Sequence, residues 1–155
     1  MAGVIGTHVV TQVAFVVKDV EKTKEKFAEF FGVSSPPTID SGKYEVTKTV
    51  VDGKPAPDAG CLMAFFDVGP GLQMELIQPN GYKSTWQDFL DQHGEGIHHI
   101  AFGIDGMDKV IEAAGKWGLT CVQRGKYGDA SGEYAYLDAG RDLKCIVELL
   151  ESYKK

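Results

Sequence analysis

The stretch Gly94-Glu95-Gly96-Ile97-His98-His99-Ile100-Ala101-Phe102 carries two adjacent histidines into an apolar run that continues to Ile104. The run reads as a buried strand, on which successive side chains point to opposite faces. By that rule His98 and His99 serve different faces, and one imidazole enters the interior. A hydrogen bond can satisfy a core histidine, but imidazole is also the commonest side-chain metal ligand. What surrounds the stretch decides between the two.

C-terminal to it, Met107, Val110, Ile111, Ala114 and Trp117 recur at helical spacing, and Gly118 closes the helix. Three strands follow at Thr120–Gln123, Glu133–Leu137 and Lys144–Leu150, separated by glycine- and aspartate-rich turns. The order is βαβββ.

The N-terminal half repeats that order. Val9–Val17 is dense in Val and Phe and reads as a strand. Asp19 stands as an N-cap, Val20, Phe27, Phe30 and Phe31 recur at helical spacing, and Gly32 ends the helix. Ser34–Pro37 is a connector. Lys43–Val51, Cys61–Val68 and Leu72–Gln78 read as strands, with hairpin or loop material at Asp52–Gly60 and Val68–Gly71. Pro79-Asn80-Gly81 closes the module. A linker helix starts at Ser84, where Ser84-Thr85-Trp86-Gln87 has the capping-box pattern, and buries Trp86, Phe89 and Leu90. The expectation is one α+β domain over residues 1–155, with module one at about 9–79, the linker helix at about 84–92 and module two at about 96–150.

The duplication holds residue by residue. Gln12–Asp19 (Q-V-A-F-V-V-K-D) lies over His99–Gly106 (H-I-A-F-G-I-D-G), and Met74–Ile77 (M-E-L-I) lies over Val147–Leu150 (V-E-L-L). Equivalent positions are therefore arranged about a pseudo-twofold axis. Four polar residues occupy such positions inside otherwise apolar strands: Gln12, Glu75, His99 and Glu148. Singly, each would be a solvated strand end or a hydrogen-bonded core group. Together they place two carboxylates in one interior, where each raises the other's pKa unless a cation lies between them. A divalent metal supplies that cation, with the amide oxygen and the imidazole completing the set.

These motifs resemble the vicinal oxygen chelate superfamily, which includes glyoxalase I, methylmalonyl-CoA epimerase, extradiol dioxygenases and bleomycin-resistance proteins. The resemblance covers essentially the whole chain and is most specific in G-E-G-I-H-H-I-A-F and the helix after it, which look like the epimerase. It implies a cupped, incompletely closed mixed sheet built from the two modules. It also implies one divalent ion (Zn, Ni, Co, Mn, Mg or Fe) on Gln12, Glu75, His99 and Glu148, the set found in human-type glyoxalase I. The implied chemistry is proton transfer next to a carbonyl through a metal-stabilised enediolate, by an isomerase, epimerase or lyase, with Glu148 as base. A small carbonyl or thioester compound would be the substrate and a homodimer the assembly.

Departures from the family pattern bear on the substrate. Met63 falls where the epimerase has its second proton-carrying glutamate, and Val16 where human-type glyoxalase I has an arginine for glutathione. Gln12 replaces a histidine that the extradiol dioxygenases need. His8, four residues before Gln12, does not align with a ligand position. Metal-bound water, Glu75, Tyr134 or Tyr136 is left as the second proton carrier. Arg124 and Lys126 flank a glycine-rich loop that could cover the site and hold an anion. A binding or sequestering protein on the same fold is the competing reading.

Bulk properties exclude other classes. A net charge of −6 and the lack of a Lys/Arg run argue against a nucleic-acid surface. No apolar run is long enough to span a bilayer, and the start of the chain lacks the features of a signal peptide. Three scattered cysteines, Cys61, Cys121 and Cys145, fit a reducing compartment, so the expectation is a cytoplasmic protein without a membrane partner. Gln12 and Glu75 lie 63 positions apart in module one and His99 and Glu148 49 in module two, an excess expected to form a lid or an interface element.

Overall fold

The computed structural model describes residues 3–154. Ten strands and five helices follow in the order β1 (Val10–Val16), α1 (Val20–Phe31), β2 (Ile39–Asp40), α2 (Tyr44–Thr47), β3 (Val50–Val51), β4 (Lys54–Pro55), β5 (Cys61–Gly69), β6 (Leu72–Pro79), α3 (Thr85–His93), β7 (Gly96–Gly103), α4 (Met107–Lys116), β8 (Thr120–Lys126), β9 (Gly132–Ala139), α5 (Gly140–Leu143) and β10 (Cys145–Ser152). They form one open mixed sheet in the order β2-β5-β6-β1-β7-β10-β9-β8-β3-β4. This is the glyoxalase-like α+β fold that the family resemblance implies.

The register reproduces the repeat. β1 runs antiparallel to β7 at the seam, with Gln12 opposite Ala101 and Ala14 opposite His99. Each of these strands then pairs in parallel with its module's last strand, Ala14 opposite Glu75 and Ala101 opposite Glu148. Exchanging the modules leaves this pattern unchanged, so Glu75 and Glu148 are symmetry mates about the seam.

Strand alternation separates two faces. Leu76, Met74, Phe66 and Ala64 pack under α1, while Leu137, Val147 and Leu149 pack under α4. The intervening residues, including Phe65, Glu75, Tyr136 and Glu148, line a cavity on the other face. α3 lies against β1, β6 and β7, and its Trp86 joins the cavity wall. Its N-cap is the expected one: Ser84 Oγ accepts from Gln87 N at 3.0 Å.

Two local expectations are corrected. Lys43–Val51 is not a strand. The edge of β5 is instead taken by Ile39–Asp40, opposite Met63 and Leu62, and the chain then makes the single turn α2, closed by Lys48 in a left-handed conformation. Only Val50–Val51 is extended, and it joins β8 at the far edge of the sheet. Residues 41–49 thus form a strap between the two sheet edges, and the excess length of module one supplies this strap and the β3–β4 hairpin. At Gly42, φ is +105°, and a Cβ there would lie 2.7 Å from the Gly128 backbone, so strap and β8–β9 turn meet through glycine. The helical stripe of α1 is also narrower than its spacing predicts, since Phe30 is 82% exposed while Phe27 packs on the core.

Leu76 is fully buried at the centre of the α1 side. Leu76→Ala removes three buried carbons and leaves a cavity, so a loss of about 2–5 kcal/mol is expected in urea unfolding. A loss under about 1 kcal/mol would contradict this packing.

Candidate metal centre

Gln12, Glu75, His99 and Glu148 come from the four central strands β1, β6, β7 and β10, and all four are buried. His99 Nε2 lies 3.0 Å from Glu148 Oε2 and 3.5 Å from Glu75 Oε1. Donor atoms at about 2.1 Å from a divalent ion stand about 3 Å apart when adjacent on an octahedron. His99 Nε2 stands near that distance from both carboxylates, and the Glu75, His99 and Glu148 donors all lie within 4.8 Å of one another.

The unmade bonds point the same way. Gln12 Nε2 donates to Gln73 Oε1 at 3.2 Å, which leaves Gln12 Oε1 free. Gln12 Oε1, Glu75 Oε1 and His99 Nε2 are all buried without a hydrogen-bond partner. Leaving such atoms unsatisfied is costly, and a cation among them would engage each one. The residues present therefore fit a divalent ion.

Charge is balanced by a proton when no ion is bound. Burial acts to lower the His99 pKa, but the negative charge and nearby oxygens of Glu148, and then those of Glu75, outweigh it and raise the group to about 9. Burial raises the Glu75 carboxyl above its ordinary range. A proton on His99 places an imidazolium between the two carboxylates and balances their charge as a bound cation would.

His98 departs from the expected alternation. Ala14 pairs with His99 but Phe15 pairs with Ile97, so the register slips by one residue at His98. Such a bulge lets two consecutive side chains share a side, and His98 Nδ1 lies 2.8 Å from His99 Nδ1. Burial, and then the charge of His99, hold His98 well below the ordinary histidine pKa. The Nδ1···Nδ1 contact holds the His99 ring with Nε2 directed at the carboxylates, and the tautomer in which His98 accepts keeps that nitrogen free for an ion. His98 is a support for His99 rather than a residue of the opposite face.

The remaining sequence candidates divide. Tyr134, Tyr136, Met63 and Lys126 line the cavity, whose volume is about 1020 Å³. Val16 is fully buried in the core. Arg124 is not available to a ligand, because its guanidinium lies 2.7 Å from both Asp108 and Glu133. His8 is exposed, and all three cysteines are free. Lining residues that the sequence did not single out are Gln73, beside Gln12, and Ser41, Lys43 and Val46 of the strap. Gln73 had a signal in its alternation with Glu75. The strap had none beyond the unequal module lengths.

Residues 11–136 match the family model of the Glyoxalase/Bleomycin resistance protein/Dioxygenase superfamily, and the chain belongs to that superfamily. It is 30% identical over 90 residues to the uncharacterized protein YqjC of Bacillus subtilis (strain 168); the match covers 57% of this chain and 64% of that relative's length. Among solved structures, methylmalonyl-CoA epimerase from Mycobacterium tuberculosis superposes with a TM-score of 0.65 at 19% identity, over 99% of this chain and 93% of the other. A hypothetical protein from Bacillus halodurans C-125 gives 0.66 at 18% identity, over 95% and 96%. Methylmalonyl-CoA epimerase of Streptomyces coelicolor, in complex with 2-nitronate-propionyl-CoA, gives 0.64 at 18%, over 94% and 97%. Among the described residues no helix is long and apolar enough to cross a membrane.

The proton on His99 makes stability depend on pH. His99 and Glu75 both bind a proton more tightly in the folded chain than in the unfolded one. Their contribution is complete below the ordinary values and is lost as pH rises; for His99 the loss runs from 6.5 to about 9. His98 has the opposite sign and acts below 6.5. The chelator-treated protein is therefore expected to melt at a lower temperature at pH 9 than at pH 6.5, and saturating Zn²⁺ to flatten the difference. Melting curves at both pH values test this, and a metal-free protein that gains stability across the interval would contradict it.

Proposed function

We propose that the chain is a divalent-metal-dependent enzyme that transfers a proton at a carbon next to a ketone, aldehyde or thioester carbonyl. Gln12, Glu75, His99 and Glu148 hold the ion, and Glu148 is the base. The observation that supports this most is the convergence of buried, unpartnered donor atoms on the wall of a cavity large enough for a substrate. The bound ion supplies Lewis-acid polarisation of the carbonyl, which acidifies the neighbouring C–H bond.

Glu148 is both in the cavity wall and within hydrogen-bond reach of His99. A carboxylate so placed takes the proton from carbon and returns it, while His99, braced by His98, keeps its orientation. Glu75, the symmetry mate of Glu148, is the second carboxylate at the centre. Met63 carries no proton, and among the groups left we assign transfer to the far side of the substrate to Glu75. Epimerisation, isomerisation and lyase chemistry all begin with this step, and the likeness to structures of methylmalonyl-CoA epimerases makes a CoA thioester the first substrate to try. A sequestering protein would need a pocket but no base.

The purified protein is expected to bind one divalent ion per chain. With ion saturating, it should exchange substrate protons with deuterated solvent in a screen of methylmalonyl-CoA, methylglyoxal hemithioacetal and 2-keto sugars. Glu148→Gln should slow the exchange about 10²–10⁴-fold, the usual contribution of a general base. An unchanged rate in the variant, or no ion bound at micromolar concentration, would reject the proposal.

A further inference from the structure

The two phenols of β9 are aimed by the linker helix. Trp86 Nε1 donates to Tyr136 Oη at 2.9 Å. An indole N–H only donates, so Tyr136 cannot give its own proton back to Trp86. Thr85 N donates to Gln123 Oε1 at 2.8 Å, which fixes the amide and turns Gln123 Nε2 to Tyr134 Oη at 2.9 Å. Tyr134 is likewise an acceptor from an N–H group, with the Thr49 hydroxyl also beside it. Tyr136 is therefore the clearer case. It is 3% exposed, stands opposite Glu148 in the register, and lines the cavity together with Tyr134. Among the described residues nothing accepts its proton, and a buried O–H aimed at a cavity is satisfied by a ligand oxygen.

The symmetry mates of these tyrosines show that the donors are not a feature of the sheet alone. Phe65 lies opposite Glu75 as Tyr136 lies opposite Glu148, and Met63 lies opposite Ile77 as Tyr134 lies opposite Leu150. The pseudo-twofold site thus has one wall of phenols and one apolar wall without O–H or N–H donors. At the rim stand the exposed Lys43 and Lys126. Asp40 and Asp129 also reach the lining, but Asp40 accepts from Gly42 N and Asp129 from Ser131 N and Oγ. With two carboxylates neutralised by a divalent ion, the interior no longer opposes an anion.

We propose that Tyr136, with Tyr134 beside it, donates to a carboxylate oxygen of the substrate, and that the site selects carbonyl compounds bearing a carboxylate near the carbonyl, their hydrocarbon end against Met63 and Phe65. This rests on the metal-site reading above, and the two fail separately in the following experiment. Co²⁺ uptake is measured first, from its visible absorption in ligand-free protein. Calorimetric titration with 2-oxobutanoate then compares the loaded wild type with Tyr136→Phe, Tyr134→Phe and Met63→Leu, all checked for unchanged melting temperature.

Tyr136→Phe should weaken 2-oxobutanoate binding about tenfold to a hundredfold, the worth of a hydrogen bond to a charged acceptor. Tyr134→Phe should weaken it less, and Met63→Leu less than twofold. The loss at Tyr136 should shrink for the uncharged 2-oxobutanamide. Affinity of Tyr136→Phe within twofold of wild type, or no binding of 2-oxobutanoate to the wild type, overturns the proposal. With cobalt uptake intact, that result leaves the metal site standing. If uptake fails, the metal reading falls, and the same titrations of metal-free protein decide the phenols by the same twofold criterion. A structure of the complex provides the second measurement: a carboxylate oxygen about 3 Å from Tyr136 Oη is expected, and a carboxylate lodged against Phe65 overturns the assignment.

Discussion

Two carboxylates buried on neighbouring halves of one sheet, with a cation required between them, constrain nearly everything else in this molecule. Glu75 and Glu148 are 6% and 4% exposed, and neither can be ionised there without compensation. The seam between β1 and β7 brings them together, because each carboxylate strand lies in parallel beside its seam strand at the same offset. A one-residue slip in either parallel pair would turn a carboxylate into the helix-packed core. Fold and centre are therefore one specification: the register that buries Leu76 and Leu149 also presents Glu75 and Glu148.

The symmetry ends at the proposed ligands. Outside them module two carries Tyr134 and Tyr136 where module one carries Met63 and Phe65, and module one sends its strap from one sheet edge to the other. A symmetric cup would offer both faces of a planar carbonyl compound the same environment. This cup distinguishes them, and the distinction is supported by α3, which reaches Tyr136 through Trp86 and Tyr134 through Thr85 and Gln123. A helix that reads as a mere connector in the sequence is what orients one wall of the cavity.

What the sequence discloses is whatever repeats. The paired motifs, the polar residues inside apolar strands and the capping box at Ser84 are all local signals, and the family resemblance that implies the fold rests on the paired motifs. Three features are hidden because they depend on distant neighbours. Lys43–Val51 alternates like a strand, yet Ile39–Asp40 has already taken the adjoining edge, so the segment has no partner until Val50 reaches β8. Arg124 reads as a ligand for an anion, but Asp108 and Glu133 claim it from two other elements. Phe30 fits the helical stripe of α1, yet Phe27 takes the place against the sheet and Phe30 faces outward.

The slip at His98 is the most instructive of the hidden features, because it too is duplicated. Val10 pairs with Phe102 and Gln12 with Ala101, so Thr11 is passed over in β1 just as His98 is passed over in β7. Thr11 and His98 are equivalent in the internal alignment, each immediately before a proposed ligand. In a regular strand the residue before a ligand faces away from it and can give it no support. The bulge removes that restriction in β7, and His98 Nδ1 then meets Nδ1 of the imidazole it precedes. Thr11 instead bonds across the seam, its Oγ1 donating to Ala101 O at 3.2 Å. An amide such as Gln12 needs no tautomer to be chosen for it and is held by Gln73, whereas an imidazole presents a free Nε2 only when its Nδ1–H has an acceptor. The adjacent histidines are therefore the consequence of placing a histidine, rather than a glutamine, after the second bulge.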